Sequence, residues 1–386
     1  MSAAIERVRS RSLYVGLAAS AACAVGAFFS PDRFFRSYLF GYLFWLGVAL
    51  GCLAIVMIQH VTGGAWGLVL RRLLEAGART LPLMAILFLF LLPGLESLYP
   101  WARPDEVARD ELLAHKQIYL NVPFFIARAA IYFAAWIGLA QLLWLWSRRQ
   151  DETGDERLVR RFQMLSAGGL LVFVLTMTFA SVDWVMSLEP HWVSTIYAAL
   201  LMAGQAVSAL SFAIVAAILL AGEDPLSRAI TPAHLHDLGK LLFAFVMIWA
   251  YFALSQFMII WSGNLPEEIP WYLRRLRGGW QWVGLSVILL HFALPFLLLL
   301  SRGLKRAPGP LLKVAALVLV MRLADLYWMV VPSSVGSLAE AHWMDLAAPI
   351  AVGGLWIALF LKNLAGAPLL PSRDPYMKEA LSLGHE

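Results

Sequence analysis

Tyr38-Leu-Phe-Gly-Tyr-Leu-Phe-Trp-Leu-Gly-Val-Ala-Leu-Gly-Cys-Leu-Ala-Ile-Val-Met57 runs without a single charged side chain. A stretch of about twenty apolar residues matches the ~30 Å hydrocarbon thickness of a bilayer when helical. A helix of a soluble protein keeps one polar face, and this stretch is apolar nearly all round. It therefore reads as a transmembrane helix, and the same pattern recurs along the chain. The predicted spans are 12–29, 34–60, 81–98, 118–147, 160–182, 192–221, 237–262, 279–301, 311–331 and 345–362. The fold class is all-α, a polytopic membrane protein of about ten transmembrane helices. Pro82, Pro93, Pro123 and Pro295 are placed to start or kink their helices.

Composition agrees. Hydrophobic residues make up 61% of the 386-residue chain and charged residues 14%. The net charge of +5 is not gathered into one basic patch, which argues against nucleic acid as a partner and for the lipid bilayer. With an inner N-terminus, about two thirds of the thirty Lys and Arg residues fall on the cytoplasmic side. That set includes Arg7, Arg71, Arg72, Arg148, Arg149, Arg160, Arg228, Lys305 and Lys378. Both termini are predicted to be cytoplasmic. Arg274, Arg275 and Arg277 break the rule by lying outside, which calls for an acidic partner there. Arg7, Arg9 and Arg11 before a short apolar run ending at Cys23 also imitate a secretory signal. Residues 64–80 carry Arg71, Arg72, Glu75 and Arg79 on one side and Val69, Leu70, Leu73 and Leu74 on another, so they are expected to lie on the membrane surface as an interfacial helix.

The two cysteines, Cys23 and Cys52, sit in separate apolar blocks. This excludes a disulfide framework, a zinc cluster, an iron–sulfur site and a Cys-x-x-Cys-His haem attachment on this chain. A Walker loop, a dinucleotide glycine motif and a nucleophile constellation are absent. The reading assigns no catalytic residue, no cofactor-binding residue and no metal ligand.

Charges within a membrane need partners. Arg128, placed about 15 Å into its span, must look to another helix, with Asp183 and Asp325 as candidates. Arg322 and Asp325 share a helix face at i, i+3 spacing, as a packing ion pair or as part of a proton relay with Asp325 as the titrating group. Gln205, Tyr251, Ser255, Gln256 and His291 either make hydrogen bonds between helices or line a discontinuous wet path with those charges. At the outer end of the fifth span, Asp183, Glu189 and His191 form either a hydrated interfacial turn or a contact for a quinol headgroup. Gly47 with Gly51, and Gly204 with Ser208 and Ser211, read as close-packing faces.

Three stretches together resemble a known family: Ser181-Val-Asp-Trp-Val-Met-Ser-Leu-Glu-Pro-His-Trp-Val-Ser-Thr-Ile-Tyr197, Phe252-Ala-Leu-Ser-Gln-Phe-Met-Ile-Ile-Trp-Ser-Gly-Asn-Leu-Pro-Glu-Glu268 and Ala324-Asp-Leu-Tyr-Trp-Met-Val-Val-Pro332. His291-Phe-Ala-Leu-Pro-Phe296 fits as well. They look like the smaller NrfD-like integral membrane subunits, the ActF family, of bacterial alternative complex III, a quinol:electron-acceptor oxidoreductase. The resemblance implies two four-helix bundles flanked by the first and last helices. It divides one membrane domain into 1–33 (first span), 34–182 and 183–331 (the bundles), and 332–386 (last span and cytoplasmic tail). It implies a bacterial inner-membrane location and a larger NrfD-like sister subunit beside which quinol is oxidised. Periplasmic iron–sulfur and multi-haem cytochrome c subunits would carry the cofactors, with quinone nearby and none on this chain. Asp183, Glu189, His191, Gln256 and Asp325 fall on the family's motifs. The implied role is a proton path or coupling element lined by Asp325, Arg128 and Asp183 with Arg322, His291, Gln256, Ser255 and Tyr251. The alternatives are a quinol-binding subunit in its own right and a purely structural scaffold. Arg322 departs from the family's pattern, and a permanent cation there argues against proton exchange at Asp325.

Overall fold

The computed structural model describes residues 3–64, 66–224, 226–371 and 373–377, and only the backbone of residue 228. Lys378, counted above among the cytoplasmic cations, lies outside the described residues. Ten helices are long and apolar enough to cross a membrane: α1 (Ala3–Phe29), α2 (Pro31–Thr62), α3 (Leu68–Leu98), α4 (Val122–Thr153), α5 (Arg157–Leu188), α6 (Tyr197–Leu219), α7 (Pro232–Gly263), α8 (Trp280–Leu300), α9 (Pro308–Ser333) and α10 (Met344–Ala365). No strand occurs among the described residues. The chain is an all-α, multi-pass membrane protein.

Local chemistry sets the helix ends. Pro31, Pro123, Pro232 and Pro308 stand in first turns, where a missing N–H costs nothing. The Asn121 side chain accepts from the Phe124 amide at 2.9 Å, an N-cap for α4. Gly154 and Asn264 close α4 and α7 in the left-handed conformation. Pro82 and Pro295 open new helical segments inside their spans, and Pro93 sits in a 3₁₀ turn of α3. A π-helical segment, Val287–Ala293, precedes Pro295 in α8 and carries His291.

The packing falls into two rings of four. Helix α2 packs on α3 and α5, and α4 closes that ring. Helix α6 packs on α7 and α9, and α8 closes the second. The rings meet where α2 crosses α6; α10 lies along α2, and α1 along α10. A Cβ on Gly51 would collide with the Gln205 backbone of α6, so glycine permits this crossing, as the small-residue pattern predicted. Helices α1 and α10 are antiparallel, with Gly16 beside Gly354 and Gly26 beside Met344. The N-terminus and the end of α10 therefore share one face, here called the terminal face; the opposite side is the far face.

The interfacial helix expected over residues 64–80 is not one. Leu68–Ala78 is the buried first part of α3, with Arg71, Arg72 and Glu75 each at most 5% exposed. Its polar side turns inward because acids from α4 and the C-terminal tail meet it: Arg71 binds Glu75 and Asp374, and Arg72 binds Glu75 and Asp151. Amphipathicity was real, but its polar face is satisfied by protein.

Candidate functional site

On the far face a cleft of about 620 Å³ opens at the seam between the bundles. Asp32, Arg36, Glu96 and Arg103 give its walls both signs of charge, and Leu39, Leu188 and Val330 form its apolar part. One helical turn further in, on the same three helices α2, α5 and α9, lie Leu43, Trp184 and Leu326. These three line a second, buried cavity of about 20 Å³, together with Arg322, Gln205 and Ser208. That volume holds one water molecule. Gln205 Oε1 is buried and has no hydrogen-bond partner among the described residues, so the cavity is polar where it counts. A single layer of apolar side chains thus separates an open cleft from a water-sized polar space.

Arg322 and Asp325 form the predicted ion pair on one face of α9. The Trp249 indole of α7 donates to Asp325 Oδ2 at 3.1 Å. A Cβ on Gly204 would overlap the Arg322 guanidinium, so the small residue on α6 makes room for this cation. Trp249 also meets the His291 ring edge-on, centroids 4.4 Å apart. His291 is fully buried, and its ring nitrogens meet no side-chain hydrogen-bond partner among the described residues. Asp325 stands eight residues from the far end of α9, about 12 Å, in the far-face half of the helix. Towards the terminal face, Leu242, Val246, Leu299, Leu311 and Val314 fill the second bundle with apolar side chains.

Arg128 and Asp183 make a separate pair. The guanidinium binds Asp183 through two parallel bonds of 2.9 and 2.8 Å, and the Tyr132 hydroxyl donates to the same carboxylate at 2.8 Å. Arg128 also donates to the Tyr119 carbonyl at 2.8 Å and stacks under the Tyr119 ring at 3.8 Å. Helix α4 starts at Val122, so Arg128 lies about 9 Å in, shallower than the sequence suggested. Of its two candidate partners, Asp183 is the one that reaches it. Behind the pair, Phe88, Phe133, Trp136 and Trp184 pack ring to ring through the first bundle.

The outer cluster divides. Glu189 meets the discordant arginines of the 269–279 loop: Oε1 accepts from Arg275 and Oε2 from Arg274, both at 2.9 Å. That loop needed an acid, and Glu189 is it. Arg275 also donates to the carbonyls of Trp271, Trp328 and Met329 and lies 3.7 Å over the Trp271 ring. Burial pushes the Arg275 pKa down and Glu189 only partly offsets it. His191, in contrast, is 61% exposed at its side chain and pairs with Asp110 at 2.7 Å. Gln256 accepts from Ser194 at 3.2 Å and donates to the Tyr272 hydroxyl at 3.4 Å. Burial raises the Tyr272 phenol to about 12. Ser255 is half-buried beside Gln256. Tyr251 is 66% exposed on the outside of α7, so it does not join the buried groups.

The candidate residues therefore form separate clusters, with His291 packed beside the Arg322–Asp325 cluster through Trp249. Of these, Arg322 lines the buried cavity described above. Sequence reading missed Trp249, and Arg36 with Asp32 at the cleft. Trp249 gave no signal, since an indole in an apolar span reads as packing. A scan against protein-family models finds no match, and a search of curated proteins finds none either.

Proposed function

We propose that this chain is a cofactor-less membrane subunit of a respiratory quinol:electron-acceptor oxidoreductase of the alternative complex III type. In this reading it exchanges protons with the far side of the membrane beside a quinol-oxidising NrfD-like sister subunit. Haem and iron–sulfur partners carry the electrons, and any quinone binds at or beside the sister. The observation that carries the reading is the alignment of the open cleft, the one-turn apolar layer and the polar cavity along α2, α5 and α9, ending on Arg322 and Asp325. A water in the cavity would link the Arg322 guanidinium to Gln205, and movement of one layer of side chains would connect it to the cleft. The motif resemblance supplies the class of complex.

The test is the proton-to-electron ratio of the intact complex in sealed vesicles, wild type against Asp325→Asn, with quinol oxidation followed in parallel. Normal quinol oxidation with fewer protons released is expected. Because Asp325→Asn leaves Arg322 without its counter-charge, the neutral pair Arg322→Gln with Asp325→Asn is measured beside it. An unchanged ratio in either assembled variant refutes the coupling role. The scaffold reading has its own support, the apolar terminal half of the second bundle, and that unchanged ratio is the result it expects.

A further inference from the structure

We propose that residues 370–371 and 373–377 form a displaceable strap over the terminal-face mouth of the first bundle, and that Arg71 there is a carboxylate-binding site occupied in cis by Asp374. After α10 the chain turns back across the bundle. Leu370 and Met377 are buried as apolar anchors, and Asp374 reaches Arg71 Nη1 at 2.7 Å. Arg373 ties the strap to the Glu152 carbonyl at the end of α4. Beneath it lies a cavity of about 20 Å³ walled by Gln59, His60, Arg71 and Gln163, with Asp374 and Tyr376 over it. Gln59 Oε1 and His60 Nε2 are buried and have no hydrogen-bond partner among the described residues. The cavity is polar and roomy enough for one water.

Charge balance makes the strap releasable. Glu75 bridges Arg71 and Arg72 at 3.1 and 2.6 Å, and Asp151 binds Arg72. Ser147 donates to Glu75 at 2.7 Å and accepts from Arg72 at the same distance. Without Asp374, two guanidiniums still face two carboxylates, so strap release strands no buried charge. The penalty that normally holds a buried ion pair together is absent here. Arg71 would then present a free Nη1 beside Gln59 and His60 to water or to another carboxylate, such as an acidic peptide.

The test uses the full chain in detergent-permeabilised native membranes. Gln163→Cys is labelled with a hydrophilic maleimide; Cys23 and Cys52 are buried and give little background. Labelling is compared with the strap intact, with Asp374→Asn, and with residues 370–386 deleted. Labelling at least tenfold faster in both strap variants is expected. A synthetic peptide of residues 367–377, added in excess to the deletion variant, slows labelling again, and the same peptide with Asn for Asp374 does not. Equal rates with and without the strap in protein that stays monodisperse overturn the strap. Equal action of the two peptides overturns the carboxylate site. Should the deletion variant aggregate, Asp374→Asn alone decides.

Discussion

Replacing Arg275 by Ala is the most severe single change the far-face loop can suffer. The guanidinium is 1% exposed and serves four acceptors, Glu189 and the carbonyls of Trp271, Trp328 and Met329. Its removal leaves the buried Glu189 with only Arg274, whose side chain is 54% exposed. Breaking one side of a buried, hydrogen-bonded ion pair costs about 3–5 kcal/mol. Arg275→Lys keeps the charge but cannot reach several acceptors from one ammonium, and should cost about 1–3 kcal/mol. Arg274→Ala, at the exposed end of the same carboxylate, should cost less than ~1 kcal/mol. Denaturant unfolding in mixed micelles reads these differences through the fluorescence of Trp271 and Trp328, which pack edge-on at 5.5 Å. An Arg275→Ala protein within ~1 kcal/mol of wild type would refute the claim that this guanidinium holds α5, α9 and the loop together.

Two further outcomes follow from the same structure. Arg128→Met and Asp183→Leu should each destabilise by about 3–5 kcal/mol, while the two together should recover much of the loss, because no charge is left alone; additive losses in that double-mutant cycle would sink the pairing. At Asp110, partial desolvation raises the carboxyl pKa, but the Leu113 amide, His191 and the Leu112 amide outweigh it, and the pKa lies below its ordinary value. A depressed carboxylate contributes stability above its unfolded pKa of about 4 and loses it as pH falls through the folded value. Hydrogen exchange at the Leu112 and Leu113 amides should therefore stay protected as pH falls to the ordinary carboxylate range and loosen only below it. Asp110→Asn should abolish that acid step, and a step that survives in the variant assigns it to another group.

Membrane residence and helix number were legible in the chain because both depend on a one-dimensional quantity, the length of uninterrupted apolar sequence against bilayer thickness. The ends of α4 and α7 were less legible: 118–147 and 237–262 were expected, and Val122–Thr153 and Pro232–Gly263 are observed, because caps and turns extend helices beyond the apolar stretch. The Arg322–Asp325 pair was legible, since i, i+3 spacing on a helix sets proximity locally. Partners on other helices were not. Arg128 had two candidate carboxylates, and only the packing of α4 on α5 selected Asp183. The loop arginines demanded an acid, but which one depended on the fold of the turn after α5.

Residues 64–80 show where reading from sequence fails. Their pattern of charged and apolar positions is that of a surface helix, and periodicity reports only that two faces differ. It does not report what each face meets. The tertiary fold brings Asp151 and Asp374 to Arg72 and Arg71 from about eighty and three hundred residues away, and so buries a face that alone would seek water. The cleft and the cavity beneath it belong to the same class: they are spaces between helices, and no single segment encodes them. Sequence by itself determined that the chain crosses a membrane about ten times and which residues carry charge into it. The tertiary structure alone decided which charges are mutually satisfied and which adjoin open space, because that depends on distances between segments far apart in the chain.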